Sequence, residues 1–169
     1  AKEPIEYVLC PHLLKEFRNR WFLYGSTANN LTLFNLPLDR IVKVEPSDKP
    51  YRDNPNFDPE RFHEDIIGVS KNIGDKPKRV VFWADSNQVG YICTKPLHSS
   101  QRIEDENPEE GGCVFSINVV VNFELYSVLM SYGPGIKVIS PQKVVRHMRN
   151  LMSKAHWLYN KEEKIQSKK

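Results

Sequence analysis

The sequence predicts an α+β protein with two domains, a small β-barrel followed by a domain in which strands alternate with helices. Three observations support this prediction. Residues 1–46 hold several short apolar runs separated by tight turns, which is typical of small barrels. Residues 47–78 are rich in turn-forming residues, which indicates a linker. From Arg79 onward the apolar pattern switches repeatedly between the period of a strand and that of a helix.

The barrel is predicted from five short segments in which apolar residues alternate with polar ones or are β-branched and aromatic. Pro11 and His12 are expected to end the first of them. Residues 37–41 are expected to form one tight helical turn, because a proline suits the first helical position. The five predicted strands are Ile5–Leu9, Leu13–Phe17, Trp21–Tyr24, Leu31–Leu36 and Val42–Val44.

The stretch from Arg20 to Gly25 is the densest aromatic and apolar run near the start of the chain. Because side chains alternate along a strand, Arg20, Phe22 and Tyr24 share one face. Trp21 and Leu23 share the other. We predict that Trp21 and Leu23 lie in the core and that the opposite face offers a cation and two aromatic rings at a rim.

The linker is predicted to contain one short helix that starts at Asp58. Asp58 suits the N-cap and Pro59 suits the first helical position. Three apolar side chains in this segment, Phe57, Phe62 and Ile66, are predicted to pack into a neighbouring surface.

The second domain is predicted to span residues 79–160, with a basic tail at 161–169. Its element order is β-α-β-β-α-β followed by a helix, which is the order of a ferredoxin-like split βαβ unit. The predicted strands are Arg79–Trp83, His98–Ile103, Cys113–Val121 and Ile136–Ile139; the predicted helices are Asn87–Thr94, Phe123–Tyr132 with Asn122 as N-cap, and a last one opened by Ser140 and Pro141.

The composition excludes several classes of protein. A net charge of +3 is too small to predict nucleic-acid binding from bulk charge, although the part from Ile136 to the end carries nine cations and two acids. Three cysteines without CxxC spacing argue against a disulfide framework and a zinc site, and are interpreted as buried reduced thiols. No apolar run reaches the roughly 18 residues of a membrane span. We therefore expect a soluble, cytoplasmic protein.

Catalytic patterns are missing from the sequence. The five histidines are scattered along the chain, and no Gly-rich phosphate loop, GxSxG or HExxH motif is present. The carboxylates cluster in segments that are predicted to be solvated loops. We expect a protein that is not an enzyme and needs no metal or cofactor.

Cations interleaved with aromatic residues are the strongest functional signal. Arginine pairs with phosphate or carboxylate through two parallel hydrogen bonds, and aromatic rings stack on bases. The pattern therefore predicts an anionic ligand, such as a nucleotide or a single strand. A structural alternative is that Arg40 forms an ion pair with a carboxylate and closes the barrel. The residues concerned are His12, Lys15, Arg18, Arg20, Phe22, Tyr24 and Arg40.

Three short motifs in this order resemble the WYL domain of bacterial transcriptional regulators. They are Pro11–Lys15, Arg20–Leu23 and Leu38–Ile41, and Trp21-Phe22-Leu23 stands where that family has Trp-Tyr-Leu. Residues 57–68 resemble the linker helix of such regulators. Residues 79–139 resemble their C-terminal extension, the WCX domain.

The resemblance implies an Sm-like, SH3-type barrel that binds a nucleotide or nucleic-acid fragment, followed by a ferredoxin-like domain. It further implies a homodimer whose DNA-binding helix-turn-helix, together with the first barrel strand, is expected to lie outside this chain. Phe22 in place of the family's tyrosine removes one hydroxyl donor. Carried over by position, the ligand-binding residues are His12, Lys15, Arg20, Tyr24 and Arg40.

Three functions are thus compatible with the sequence. The first is the effector-sensing and dimerising region of a transcriptional regulator. The second is a direct binder of single-stranded nucleic acid, in which the basic C-terminal helix acts as a clamp. The third is a structural dimerisation module whose arginines form ion pairs only.

Overall fold

A computed structural model describes residues 3–27, 29, 31–106 and 108–166 of the chain. The first two residues and the end of the predicted basic tail, 167–169, lie outside this description. The chain divides into two compact units, Ala1–Lys76 and Pro77–Lys169. Each contains its own sheet, so the prediction of a mixed α/β chain is confirmed.

Unit 1 contains an antiparallel sheet with the strand order β1-β2-β3. Arg18 and Asn19 join β1 to β2 with φ angles of 52° and 61°. Positive φ at both central residues is what a two-residue type I′ hairpin turn requires. A short 3₁₀ turn at Leu38–Arg40 follows β3, where the sequence predicted a helical turn. The strands are β1 (Leu9–Phe17), β2 (Arg20–Thr27) and β3 (Leu33–Pro37).

Strand β1 runs through Pro11, so the prediction that Pro11 and His12 end a strand is wrong. The pairing of β1 with β2 shifts register between Pro11 and Leu13. Such a bulge accommodates a residue that lacks a backbone N–H donor.

The five-stranded barrel was not found in the described residues, where the first sheet has three strands. The segments around Ile5 and around Val42 and Val44 are not strands, and these side chains are 73%, 80% and 81% exposed. Alternating apolar residues predicted strands there. A strand needs a neighbour for its backbone hydrogen bonds, and in the described part neither segment is paired with a strand, although the ring of Tyr7 packs against that of Phe34 at 5.1 Å between centroids.

The buried face and the exposed face of β2 are the reverse of the prediction. Tyr24 is fully buried, whereas Trp21 is 51% exposed. The alternation itself was correct, since Phe22 and Tyr24 lie on one face together. Sequence alone did not show which face a distant segment would cover.

The segment predicted to be a linker covers that face of the sheet. Phe57, Phe62 and Val69 form one buried cluster with Tyr24, and Ile66 is buried as well, as predicted for these apolar side chains. Residues 59–65 form successive turns instead of the predicted helix. Asp58 nevertheless caps these turns, because its Oδ1 accepts hydrogen bonds from the backbone N–H groups of Glu60 and Arg61 at 3.0 and 3.3 Å.

Unit 2 has the predicted element order, with four strands and three helices in the described residues. Its antiparallel sheet has the strand order β5-β6-β4-β7. The elements are β4 (Lys78–Ala84), α1 (Ser86–Thr94), β5 (Arg102–Asp105), β6 (Cys113–Val119), α2 (Phe123–Ser131), β7 (Ile136–Ser140) and α3 (Gln142–Gln166).

The strand predicted at His98–Ile103 is displaced toward the C-terminus. The backbone N–H of Gln101 donates to the carbonyl of His98 at 2.9 Å, so these residues form a turn. The predicted N-cap of α2 is confirmed, because Asn122 Oδ1 accepts a hydrogen bond from the backbone N–H of Leu125 at 2.8 Å.

Helix α3 packs through its first turns. Val144 and Met148 are buried, and the ring of His147 lies 4.0 Å from that of Tyr126 on α2, centroid to centroid. The predicted apolar spacing of this helix therefore marks its packed face. Among the described residues, no helix is both long enough and apolar enough to span a bilayer.

The three cysteines are free thiols. Cys10 and Cys113 are buried, as predicted. Cys93 is exposed, because it lies on the solvent side of α1.

Candidate functional site

All five predicted ligand-binding residues lie in unit 1. Three of them, Lys15, Arg20 and Tyr24, share one face of the sheet. Lys15 on β1 pairs with Phe22 on β2, and Phe22 shares its face with Arg20 and Tyr24 because side chains alternate along a strand. The five residues lie on β1 (His12 and Lys15), on β2 (Arg20 and Tyr24) and in the 3₁₀ turn (Arg40).

Tyr24 lies at the centre of a buried polar network. Its hydroxyl donates a hydrogen bond to the carbonyl oxygen of Val69. Asn35 Nδ2 donates to the same carbonyl at 2.7 Å and to the Tyr24 hydroxyl at 3.3 Å. The ring of Tyr24 stacks on Phe57 at 5.9 Å between centroids. Tyr24 therefore holds the covering segment on the sheet and does not lie at the rim.

His63 completes this network from the covering segment. Its Nε2 lies 3.1 Å from the Tyr24 hydroxyl, whose single proton is donated to Val69. Nε2 must therefore carry a proton and donate. Burial lowers the pKa of His63 to about 4, with further lowering by the charges of Lys15 and Lys71 and an opposing effect of Asp65. His63 is thus neutral at physiological pH.

Lys15 is half-buried beside this network, and its charge is among the causes of the low pKa of His63. The sequence predicted Lys15 as a ligand-binding cation. The structure gives it at least an electrostatic effect on a buried histidine.

His12 forms a second polar contact set on the same unit. Its Nε2 lies 2.7 Å from the hydroxyl of buried Ser26, and its Nδ1 lies 3.0 Å from the hydroxyl of Tyr51. Burial lowers the pKa of His12, and the negative charge of Asp53 partly opposes this shift. Both ring nitrogens of His12 therefore have partners within the protein.

The remaining cations lie at the exposed end of the sheet. Arg20 Nη2 lies 3.3 Å from Asp39 Oδ2, and both side chains are about half exposed. Arg40 follows Asp39 in the same 3₁₀ turn; it is exposed and forms no salt bridge with any described residue. Trp21 follows Arg20 on β2 and is exposed on the opposite face of this end of the sheet. We call Arg20, Trp21, Asp39 and Arg40 the arginine end of the sheet.

The predicted set thus separates into two parts. His12, Lys15 and Tyr24 lie in or beside the covered face, where their contacts are internal. Arg20 and Arg40 lie at the arginine end, where a guanidinium can reach an external anion. An exposed ion pair such as Arg20–Asp39 contributes about 0–1 kcal/mol, so an incoming phosphate or carboxylate can replace Asp39 at small cost.

Sequence reasoning missed the partners that hold the covered face together. His63, Asn35, Ser26 and Tyr51 come from positions up to 39 residues away from the side chains that they contact. A one-dimensional pattern carries no signal for such long-range pairs. The buried aromatic residues around His63 were the available hint.

Comparison with known proteins finds a family similarity in the second unit. The model of the WCX domain family matches residues 76–155. A search of the curated proteins found no match. Among solved structures, the chain is similar to Proteasome accessory factor B/C (PafBC) of Arthrobacter aurescens, with 14% sequence identity and a TM-score of 0.41; the similarity covers 89% of this chain and 22% of that one.

The family match confirms the WCX resemblance predicted for residues 79–139. It covers nearly all of the sheet and helices of unit 2 up to the middle of α3. This chain spans about a fifth of the length of the solved protein. The WYL resemblance of unit 1 stays a prediction.

Proposed function

We propose that this chain is the effector-sensing and dimerising region of a cytoplasmic bacterial transcriptional regulator. In this proposal unit 1 is a WYL-type, Sm-like domain that binds an anionic nucleotide or nucleic-acid fragment. A helix-turn-helix outside this chain supplies the DNA-binding part. The region itself is not catalytic.

The observation that supports this proposal most is the WCX match over residues 76–155. In the WYL regulators that residues 11–41 resemble, the WCX domain follows a ligand-sensing barrel. The strand order β5-β6-β4-β7, with all neighbours antiparallel, supports a ferredoxin-like arrangement for unit 2.

The arginine end is the proposed effector site. Arg40 is exposed and has no acidic partner among the described residues, and Arg20 has an exposed partner that an anion can displace. The planar guanidinium groups favour phosphate, to which arginine binds through paired hydrogen bonds. Trp21 offers an exposed ring on which a base can stack.

The proposed mechanism is a shift between two states of the dimer. An effector changes the population of the DNA-binding state only if it binds one state more tightly than the other. Arg20 already contacts the 3₁₀ turn through Asp39. Replacement of Asp39 by the effector would free this turn, and this change would supply the difference in affinity.

A fluorescence titration tests the effector site. In a W83F/W157F background, Trp21 is the remaining tryptophan of the sequence and reports on the arginine end. We expect a saturable change with short DNA or RNA strands or nucleotides, weakened at least about tenfold by Arg40→Ala. The matched control is Lys43→Ala, which removes an equal charge from a nearby cation that is paired with Glu45.

Two results would contradict the proposal. Equal affinity in the Arg40→Ala and Lys43→Ala chains would exclude a specific role for Arg40. No binding by the folded chain at low salt, combined with a stable dimer in light scattering, would instead support the structural dimerisation module.

A further inference from the structure

The solvent-facing side of α3 carries a row of six exposed side chains, four of which are cations and one of which is a tryptophan. Successive members are three or four residues apart, so at about 100° per residue they fall within roughly a quarter of the helix circumference. We call this row the cationic ridge. Its members are Lys143, Arg146, Asn150, Lys154, Trp157 and Lys161, all of them exposed.

Along the length of the ridge, α3 carries no acid that could balance its charge. Residues 142–161 of α3 contain no Asp or Glu; the first acids of the helix are Glu162 and Glu163. Within the described part of the chain, the four ridge cations form no salt bridge. Exposed cations on a helix are commonly paired with acids one turn away, and this ridge departs from that pattern.

The ridge is separate from the packing face of α3. Val144 and Met148, which are buried, lie on the opposite side of the helix. From Lys143 to Lys161 the ridge extends about 27 Å at 1.5 Å per residue. Such a length can contact several consecutive phosphates of one extended strand.

Trp157 interrupts the row of cations near its C-terminal end. Its side chain is 56% exposed, and its ring contacts Lys161, whose Nζ lies 5.1 Å from the ring centroid. More than half of this large aromatic surface is therefore available to an external partner. Beside cations such a ring forms a stacking platform, which duplex DNA cannot use because its bases are already stacked.

We infer that the cationic ridge of α3 binds single-stranded nucleic acid, with phosphates along the cations and one base on Trp157. This site is distinct from the proposed effector site and does not depend on it. It lies in unit 2, it needs no base-specific contact, and its occupant is a polyanion that is longer than a nucleotide. The charge of the ridge complements a phosphate backbone.

The test is fluorescence anisotropy of a labelled 20-nucleotide oligo(dT) with the whole chain at several salt concentrations. Each phosphate contact contributes about −0.7 to the slope of log K against log salt for a single strand. The double variant R146A/K154A is expected to bind at least about tenfold more weakly, with a slope flatter by about 1.4. Trp157→Ala is expected to weaken binding about fivefold or more, with little change in slope.

A matched double variant distinguishes a specific effect of the ridge cations from a simple loss of net charge. R149A/K137A removes the same two charges; Arg149 lies about 60° outside the ridge and Lys137 lies on β7, paired with Glu110. We expect this pair to change binding less than about threefold. Three results would overturn the inference. The two double variants could lose the same amount of affinity, or the wild-type chain could fail to bind oligo(dT) at about 50 mM salt. Finally, the chain could bind a duplex more tightly than a single strand, with an affinity that Trp157→Ala does not change. Because the proposed effector site lies in unit 1, the losses caused by R146A/K154A and by Trp157→Ala are expected to be the same in an Arg40→Ala background.

Discussion

The Tyr24 hydroxyl donates a hydrogen bond to the carbonyl oxygen of Val69, 45 residues away along the chain. This contact joins β2 to the segment that the sequence predicted to be a linker. It also gives Tyr24 a structural role, because His63 and Asn35 use the same hydroxyl as an acceptor. The covered face of the sheet is therefore held by polar contacts as well as by its aromatic cluster.

Removal of this hydroxyl should destabilise unit 1. Tyr24→Phe leaves the N–H of His63 without its acceptor in a partly buried position, at a cost of about 1–3 kcal/mol. Urea unfolding monitored by Trp21 fluorescence in the W83F/W157F background measures this change. Tyr51→Phe, which removes an exposed hydroxyl, should cost less than about 0.5 kcal/mol. Equal losses in both variants would contradict the network.

The stability of unit 1 should depend on pH through His63. Its pKa is about 4 in the folded protein and 6.5 in its ordinary state, so the unfolded chain binds the extra proton between these values. The free energy of unfolding should then fall as the pH decreases from 6.5 to about 4, by at most about 1.4 kcal/mol per pH unit.

His63→Gln is the variant that isolates this effect. Glutamine does not titrate and can still donate a hydrogen bond to Tyr24. Urea unfolding at about pH 7 and about pH 5 should give a smaller difference in this variant than in the wild-type chain. The same pH dependence in both chains would assign it to other groups.

The covering segment should behave as part of the core of unit 1. Phe62 is 7% exposed, and Phe62→Ala should reduce the free energy of unfolding of unit 1 by about 3–5 kcal/mol. Val44→Ala is the control in the same unit, because Val44 is 81% exposed and its truncation should change the free energy of unfolding little. If Phe62→Ala were as mild as its control, residues 57–69 would be a linker after all.

Two adjacent glycines provide a sharp test of the hairpin between β5 and β6. Gly111 and Gly112 both have positive φ, 71° and 78°. A Cβ on Gly112 would lie 2.1 Å from the carbonyl oxygen of Ala84, whereas one on Gly111 would meet nothing within 4 Å. Gly111→Ala should cost about 1–2 kcal/mol from backbone strain alone.

Gly112→Ala should reduce the free energy of unfolding of unit 2 clearly more than Gly111→Ala does, because backbone atoms of β4 would have to move. Thermal unfolding of unit 2 compares the two variants directly. Similar midpoints for both would show that the close approach to Ala84 is not maintained in solution.

The sequence was most informative where local signals agree with burial. In unit 2, β-branched runs, the Asn122 cap and the turn formers between elements predicted the correct element order. Each strand there has a neighbour in the described sheet. The departures were small, such as the displaced strand β5.

Unit 1 was harder, because its core depends on long-range contacts. Tyr24 is buried and Trp21 is exposed, the reverse of the prediction, because residues 57–69 cover the face that carries Tyr24. These residues lie far along the chain and carry no strand or helix signal. The pair His63–Tyr24 could not be predicted for the same reason. Arg40 was recognisable from its motif, and its exposure agrees with the predicted role without testing it.

Binding of an anionic effector at the arginine end can be tested most directly by an NMR titration of the ¹⁵N-labelled chain. The probe is a trinucleotide, which is too short to span the cationic ridge. We expect the largest amide shifts at Arg20, Asp39 and Arg40, and we expect them to disappear in Arg40→Ala. Shifts confined to α3, or none at saturating trinucleotide, would contradict the proposed effector site.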